Sequence, residues 1–126
     1  VFVVDDSKFM RMMLGEVITS MGCEVIEVDG GRRAVTMYEH YKPDVVTLDI
    51  LMPEQDGIET LKQIFDLDPL AKVVMVTALG MEDYIKQAME LGACGFIIKP
   101  FSSEQVETVV AQVLGDESLH INCEDE

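Results

Sequence analysis

Apolar residues fall in short unbroken runs along this chain. Val1-Phe2-Val3-Val4, Val73-Val74-Met75-Val76 and Phe96-Ile97-Ile98 are three of them, and Val45-Val46-Thr47-Leu48 is a fourth. They show no apolar–polar alternation, so each predicts a strand buried on both faces, as in parallel sheets. A fifth run, Cys23-Glu24-Val25-Ile26-Glu27-Val28, carries two glutamates and predicts an edge strand. The expected strands are residues 1–5, 23–28, 44–49, 72–77 and 95–99.

Between and after the runs, apolar residues return at helical spacing. Phe9, Met10, Met13, Leu14, Val17, Ile18 and Met21 stripe a first helix, capped by Asp6 or Ser7 and ended by Gly22. Ala34, Val35, Tyr38 and Tyr41 mark a second, between Asp29-Gly30-Gly31 and Lys42-Pro43. Ile58, Leu61, Ile64 and Phe65 mark a third, which Asp68-Pro69 ends. Met81, Ile85, Ala88 and Met89 mark a fourth, ended by Gly92. Val106, Val109, Val110 and Val113 mark a fifth, opened by a capping box of Ser102 and Gln105 and ended by Gly115. The methionines of the first helix read as core filler.

Strand then helix, five times over with short connections, predicts an α/β domain with helices on both faces of the sheet. In such sheets ligands bind outside the carboxyl ends of the strands. Four strands here end in polar residues: Asp5-Asp6, Asp49, Thr77 and Lys99. Taken singly, each has a plain structural reading. Asp5-Asp6 can cap a helix, Asp49 can open a turn before Pro53, Thr77 suits a strand, and Lys99 can be a solvated strand end. Together they fall at one edge of one sheet.

The chain of 126 residues suits one domain with one core. Residues 1–115 are expected to form it, and residues 116–126, polar and acidic, a tail or linker stub. With 24 acidic against 9 basic residues, the formal charge is −15. That surface repels phosphate backbones and anionic lipid, so neither nucleic acid nor membrane is expected as a direct partner; a basic protein patch is. No run approaches the roughly 20 apolar residues of a membrane span, and no export signal is evident. Cys23, Cys94 and Cys123 lack metal-ligand spacing and read as reduced thiols of a cytoplasmic protein, the first two as small apolar residues. His40 and His120 read as surface residues.

Three carboxylates in one crevice repel one another unless a cation joins them. Oxygen ligands with an incomplete shell suit Mg²⁺, which keeps waters and shares phosphates. With a lysine opposite, such a site suits phosphoryl transfer, where positioning and charge neutralisation dominate. Asp49 is then the nucleophile that forms an acyl phosphate. Lys99 neutralises phosphoryl oxygens and the Thr77 hydroxyl bonds one. Serine at 77 is expected to be a mild change and alanine a serious one.

Asp5-Asp6-Ser7, Asp49 with Met52-Pro53 and Gly57, Thr77-Ala78, and Lys99-Pro100-Phe101 resemble the receiver domain of two-component response regulators. The resemblance covers residues 1–115. It implies a doubly wound (βα)5 sandwich with a five-stranded parallel sheet of order 2-1-3-4-5. It implies phosphorylation of Asp49 by a histidine kinase, and Mg²⁺ held by Asp6, Asp49 and the Leu51 carbonyl, with Asp5 acting through water. It implies a cis Lys99–Pro100 bond and a switch pair, Thr77 and Phe96, that remodels the surface of the fourth helix, last strand and fifth helix. Such a domain catalyses its own aspartyl phosphorylation and dephosphorylation but serves mainly as a signalling switch. The stretch Ser7-Lys8-Phe9-Met10-Arg11-Met12-Met13-Leu14 looks most like stand-alone chemotaxis receivers, so the output partner is expected to be a flagellar switch protein or an effector domain. Phe96 alone also reads as a core aromatic.

Two rivals stay open. A flavodoxin-like electron carrier shares the sheet type, but Asp5-Asp6-Ser7-Lys8 is not the Ser/Thr/Gly-rich phosphate loop a flavin needs. The other rival is a receiver-shaped interaction module that never takes phosphate.

Overall fold

The computed structural model describes residues 1–52 and 55–114. Its elements alternate as β1 (Phe2–Val4), α1 (Lys8–Ser20), β2 (Ile26–Val28), α2 (Gly31–Tyr41), β3 (Val46–Asp49), α3 (Gly57–Leu67), β4 (Val73–Ala78), α4 (Glu82–Leu91), β5 (Gly95–Lys99) and α5 (Ser103–Val113). All strand pairs are parallel, and the sheet order is β2-β1-β3-β4-β5. The expected α/β fold and strand order are both present. Pro53, Gly115 and the acidic stretch 116–126, with Cys123 and His120, lie outside the described residues.

The uninterrupted apolar runs have a direct cause. Successive strand side chains point to opposite faces, and both faces are covered. Phe2, Val4, Leu48 and Met75 pack with Ala34 and Tyr38 of α2, Leu61 and Ile64 of α3, and Ala88 of α4. Val3, Val74, Val76 and Ile97 pack with Leu14 and Ile18 of α1 and Val106 and Val110 of α5. A polar residue at either parity would be stranded in a core. One exception within a strand, the buried Thr47, gives its hydroxyl hydrogen to the Phe2 carbonyl at 3.3 Å.

Helix ends form where the cap chemistry lies. The Ser7 side chain accepts from the Met10 N–H, the Asp56 carboxylate from the Glu59 N–H, and Ser102 and Gln105 form a reciprocal box. Tyr38, buried under α2, donates to the Asp68 carboxylate at 2.7 Å and ties α2 to the end of α3. Burial first, then Asp68, pushes this phenol well above its usual range.

Three expectations need correction. The buried helix stripes are narrower than the apolar spacing implies: Phe9 is 67 % exposed, and Met13, Tyr41 and Met89 are exposed as well. A helix lying on a sheet buries only its inner arc, so apolar neighbours of that arc face water. Strand β2 is three residues rather than six, because its ladder is to β1 alone and pairs Phe2–Val4 with Ile26–Val28. Cys94 is exposed, not a small core residue, while Cys23 is half-buried; both are free thiols.

Gly57 locks α3 onto the end of the central strand. Its N–H donates to the Ile50 carbonyl at 2.6 Å, and a Cβ there would collide with the backbone of Asp49 and Ile50. Backbone cannot yield as a flexible side chain does. Gly57→Ala is therefore expected to destabilise the fold by about 2 kcal/mol, seen as a lower urea midpoint at unchanged slope; an unchanged midpoint would show that the contact is slack.

Candidate functional site

The register brings the strand ends together. Val4 pairs with Leu48, so the next residues, Asp5 and Asp49, emerge side by side from β1 and β3. Asp49 pairs with Val76, and Lys99 pairs with Ala78 one strand further out. From β5 to β3 is two strand spacings, roughly 10 Å. A long flexible stem is needed to cross that gap, and lysine has one. The Lys99 Nζ lies 3.3 Å from Asp5 Oδ2 and 3.4 Å from Asp49 Oδ1.

Asp5, Asp6 and Asp49 each offer a carboxylate oxygen, and these oxygens lie within 4.8 Å of one another. Asp5 and Asp49 are buried and Asp6 is exposed, so the cluster opens to solvent through Asp6. Asp5 is held at every polar atom. Its Oδ1 accepts from the Ser7 N–H at 2.9 Å, its Oδ2 from Lys99, its N–H donates to the Val28 carbonyl, and its own carbonyl accepts from Arg11 Nη1 at 2.7 Å. Arg11 was not among the residues singled out from the sequence; its contact with Asp5 is through backbone, which leaves no mark in residue type.

Burial, then the nearby Asp5 charge, pushes the Asp49 carboxyl up to about 6; Lys99 pulls it down and Asp6 adds a smaller upward push. One ammonium thus leaves the cluster short of positive charge. Oxygen donors this close, with residual negative charge and an open side, fit a hard divalent cation.

The Thr77 hydroxyl, buried at the end of β4, donates to the Ala78 carbonyl at 3.3 Å. Phe96 is 42 % exposed on the edge strand β5, which overturns its reading as a core aromatic. The Leu51 side chain is exposed just beyond β3. The Lys99–Pro100 bond is cis, as the resemblance implied. The described residues therefore place Asp5, Asp6, Asp49 and Lys99 in one cluster, with Thr77 at the neighbouring strand end. Among them no helix is long and apolar enough to cross a membrane.

The family model of the response regulator receiver domain matches residues 1–111. The chain belongs to the response regulator receiver family. This receiver is 45 % identical over 114 residues to chemotaxis protein CheY of Thermotoga maritima, covering 90 % of this chain and 95 % of that protein. It is 33 % identical over 114 residues to sporulation initiation phosphotransferase F of Bacillus subtilis, covering 90 % and 92 %. Its fold superposes, with a TM-score of 0.84 and 40 % identity, on a crystal structure of a CheX–CheY–BeF3–Mg²⁺ complex from Borrelia burgdorferi, covering 89 % of this chain and 86 % of that one. The receiver is accordingly a phosphoacceptor domain of the two-component type.

The raised Asp49 value has a thermodynamic consequence. In the unfolded chain the group ionises near its ordinary 3.8, in the fold near 6. Between those values the folded state binds more protons, so stability falls as pH rises through the interval. The full cost reaches up to about 3 kcal/mol at neutral pH. In EDTA, Asp49→Asn is expected to match the parent near pH 4 and to exceed it in unfolding free energy above pH 6. Urea titrations across that range check this; an Asn variant less stable than the parent at pH 7.5 would contradict it.

Proposed function

We propose that Asp49 is the residue of this receiver that accepts a phosphoryl group from the phosphohistidine of a histidine kinase. An Asp49 carboxylate oxygen attacks phosphorus, the P–N bond breaks as the P–O bond forms, and the imidazole leaves. The observation that carries the reading is the meeting of three carboxylates with one lysine ammonium at the carboxyl edge of the sheet. An ordinary buried cluster would be neutralised by its own partners. This one keeps Asp49 hard to ionise, which supports a site completed by a further cation.

Asp6, Asp49 and the Leu51 carbonyl would hold Mg²⁺, with Asp5 acting through water; the metal would supply charge neutralisation at the phosphoryl oxygens. The Mg²⁺ of the Borrelia CheY complex supports the choice of metal. Lys99 neutralises the phosphoryl oxygens from the β5 side. The Thr77 hydroxyl leaves the Ala78 carbonyl and donates to the phosphoryl group. Phe96 turns inward from its exposed position, and the surface of α4, β5 and α5 changes with it. Self-catalysed phosphorylation and dephosphorylation make the domain a switch with modest enzymatic character.

The partners follow from this scheme: a histidine kinase on the input side, and a protein on the output side, with chemotaxis favoured by the likeness to CheY proteins. The charge of −15 favours protein partners with basic patches over nucleic acid or anionic lipid. The free thiols of Cys23 and Cys94 favour the reducing cytoplasm. Residues 1–115 form the receiver and 116–126 its acidic tail or linker stub.

Intact mass after incubation with acetyl phosphate and Mg²⁺ tests the chemistry. The parent is expected to gain one phosphoryl group, and Asp49→Asn, or the parent in EDTA, none. A parent that gains nothing, or an Asn variant that gains as much, would overturn the reading.

A further inference from the structure

Arg11 sits one turn into α1 with its side chain 14 % exposed, facing the end of β1. Its Nη1 donates to the Asp5 carbonyl at 2.7 Å, a short charge-assisted bond. Its Nε donates to the Glu27 Oε1 on β2 at 3.1 Å. The guanidinium therefore bridges two neighbouring strands in a fixed plane, and Glu27 sets its rotation. Val3 pairs with Glu27, so the bridge spans the sheet just where β1 ends.

The consequence lies in the peptide that the bond grips. The atoms from Cα of Asp5 to Cα of Asp6 form one plane. The Asp5 N–H is fixed by Val28, and the Asp5 carboxylate by Ser7 and Lys99. Holding the Asp5 carbonyl removes the remaining rotation of that plane. It thereby sets the point from which the Asp6 side chain starts. Asp6 is the exposed member of the acidic cluster, with the fewest restraints of its own.

We propose that Arg11 is a positioning residue for the divalent-metal site: its guanidinium, oriented by Glu27, holds the Asp5 carbonyl and so aims the Asp6 carboxylate at the ion. This rests on the metal site described under Proposed function. Arginine suits the role because its rigid fork serves two acceptors at once, which a lysine ammonium does with no fixed plane.

A pure charge effect has the opposite sign, which makes the proposal testable. Arg11 is a cation near a site for a dication. If only its charge mattered, removing it would tighten Mg²⁺ binding. If it positions Asp6, removing it weakens binding, by about tenfold or more, as for other residues that orient metal ligands. The experiment is an Mg²⁺ titration of the full chain followed by amide NMR shifts, for the parent, Arg11→Met and Arg11→Lys, with thermal melting in EDTA alongside. Arg11→Met is expected to bind Mg²⁺ about tenfold more weakly, and Arg11→Lys more weakly than the parent by a smaller factor. Arg11→Met binding as tightly as the parent, or more tightly, overturns the proposal. Should Arg11→Met fail to fold, Arg11→Lys decides, since it keeps the charge and loses the fork; parental affinity there overturns the proposal too. A parent that binds no Mg²⁺ sinks the metal site itself, a distinguishable failure.

Discussion

One ammonium group stands between two carboxylates that would otherwise repel each other across the edge of the sheet. Lys99 reaches from β5 over the end of β4 to Asp5 and Asp49, both largely withdrawn from water. The rest of the site depends on this incomplete neutralisation. With no lysine, burial and the Asp5 charge would act on Asp49 unopposed and its carboxyl would be harder still to ionise. With a second fixed cation from the protein, less negative charge would be left to attract a metal. The fold provides one cation and leaves an open side at Asp6.

The scaffold matters because such a balance tolerates little movement. Parallel pairing sets Asp5 beside Asp49. Gly57 pins the backbone after Asp49 from the α3 side, and Ser7 both caps α1 and binds the Asp5 carboxylate. Helix caps, strand register and site geometry are therefore one set of contacts. At the neighbouring strand ends, Phe96 lies exposed on an edge strand, and the buried Thr77 hydroxyl rests on a carbonyl next to it in the chain.

Much of this was legible in the residues. Runs such as Val73-Val74-Met75-Val76 read as strands because both faces of the sheet are covered, and the polar residues ending them read as one site because parallel strands share an edge. The Ser102–Gln105 box was visible from its spacing alone. Other features needed coordinates. Phe9 and Met13 look like core residues by type, and only the angle at which α1 meets the sheet shows that they face solvent. The ladder of β2 to β1 starts at Ile26 opposite Phe2, which leaves Cys23, Glu24 and Val25 outside the strand. Arg11 was invisible because one acceptor is a backbone carbonyl, which every residue type has, and the other, Glu27, lies on a separate strand.

Lys99 is proposed to neutralise the phosphoryl group rather than to hold the metal. Lys99→Met, assayed in one preparation for Mg²⁺ binding and for phosphoryl incorporation from acetyl phosphate, tests it most directly. Mg²⁺ binding at least as tight as in the parent is expected, because a competing cation is gone, with incorporation lost. Incorporation at the parental rate in that variant would contradict it.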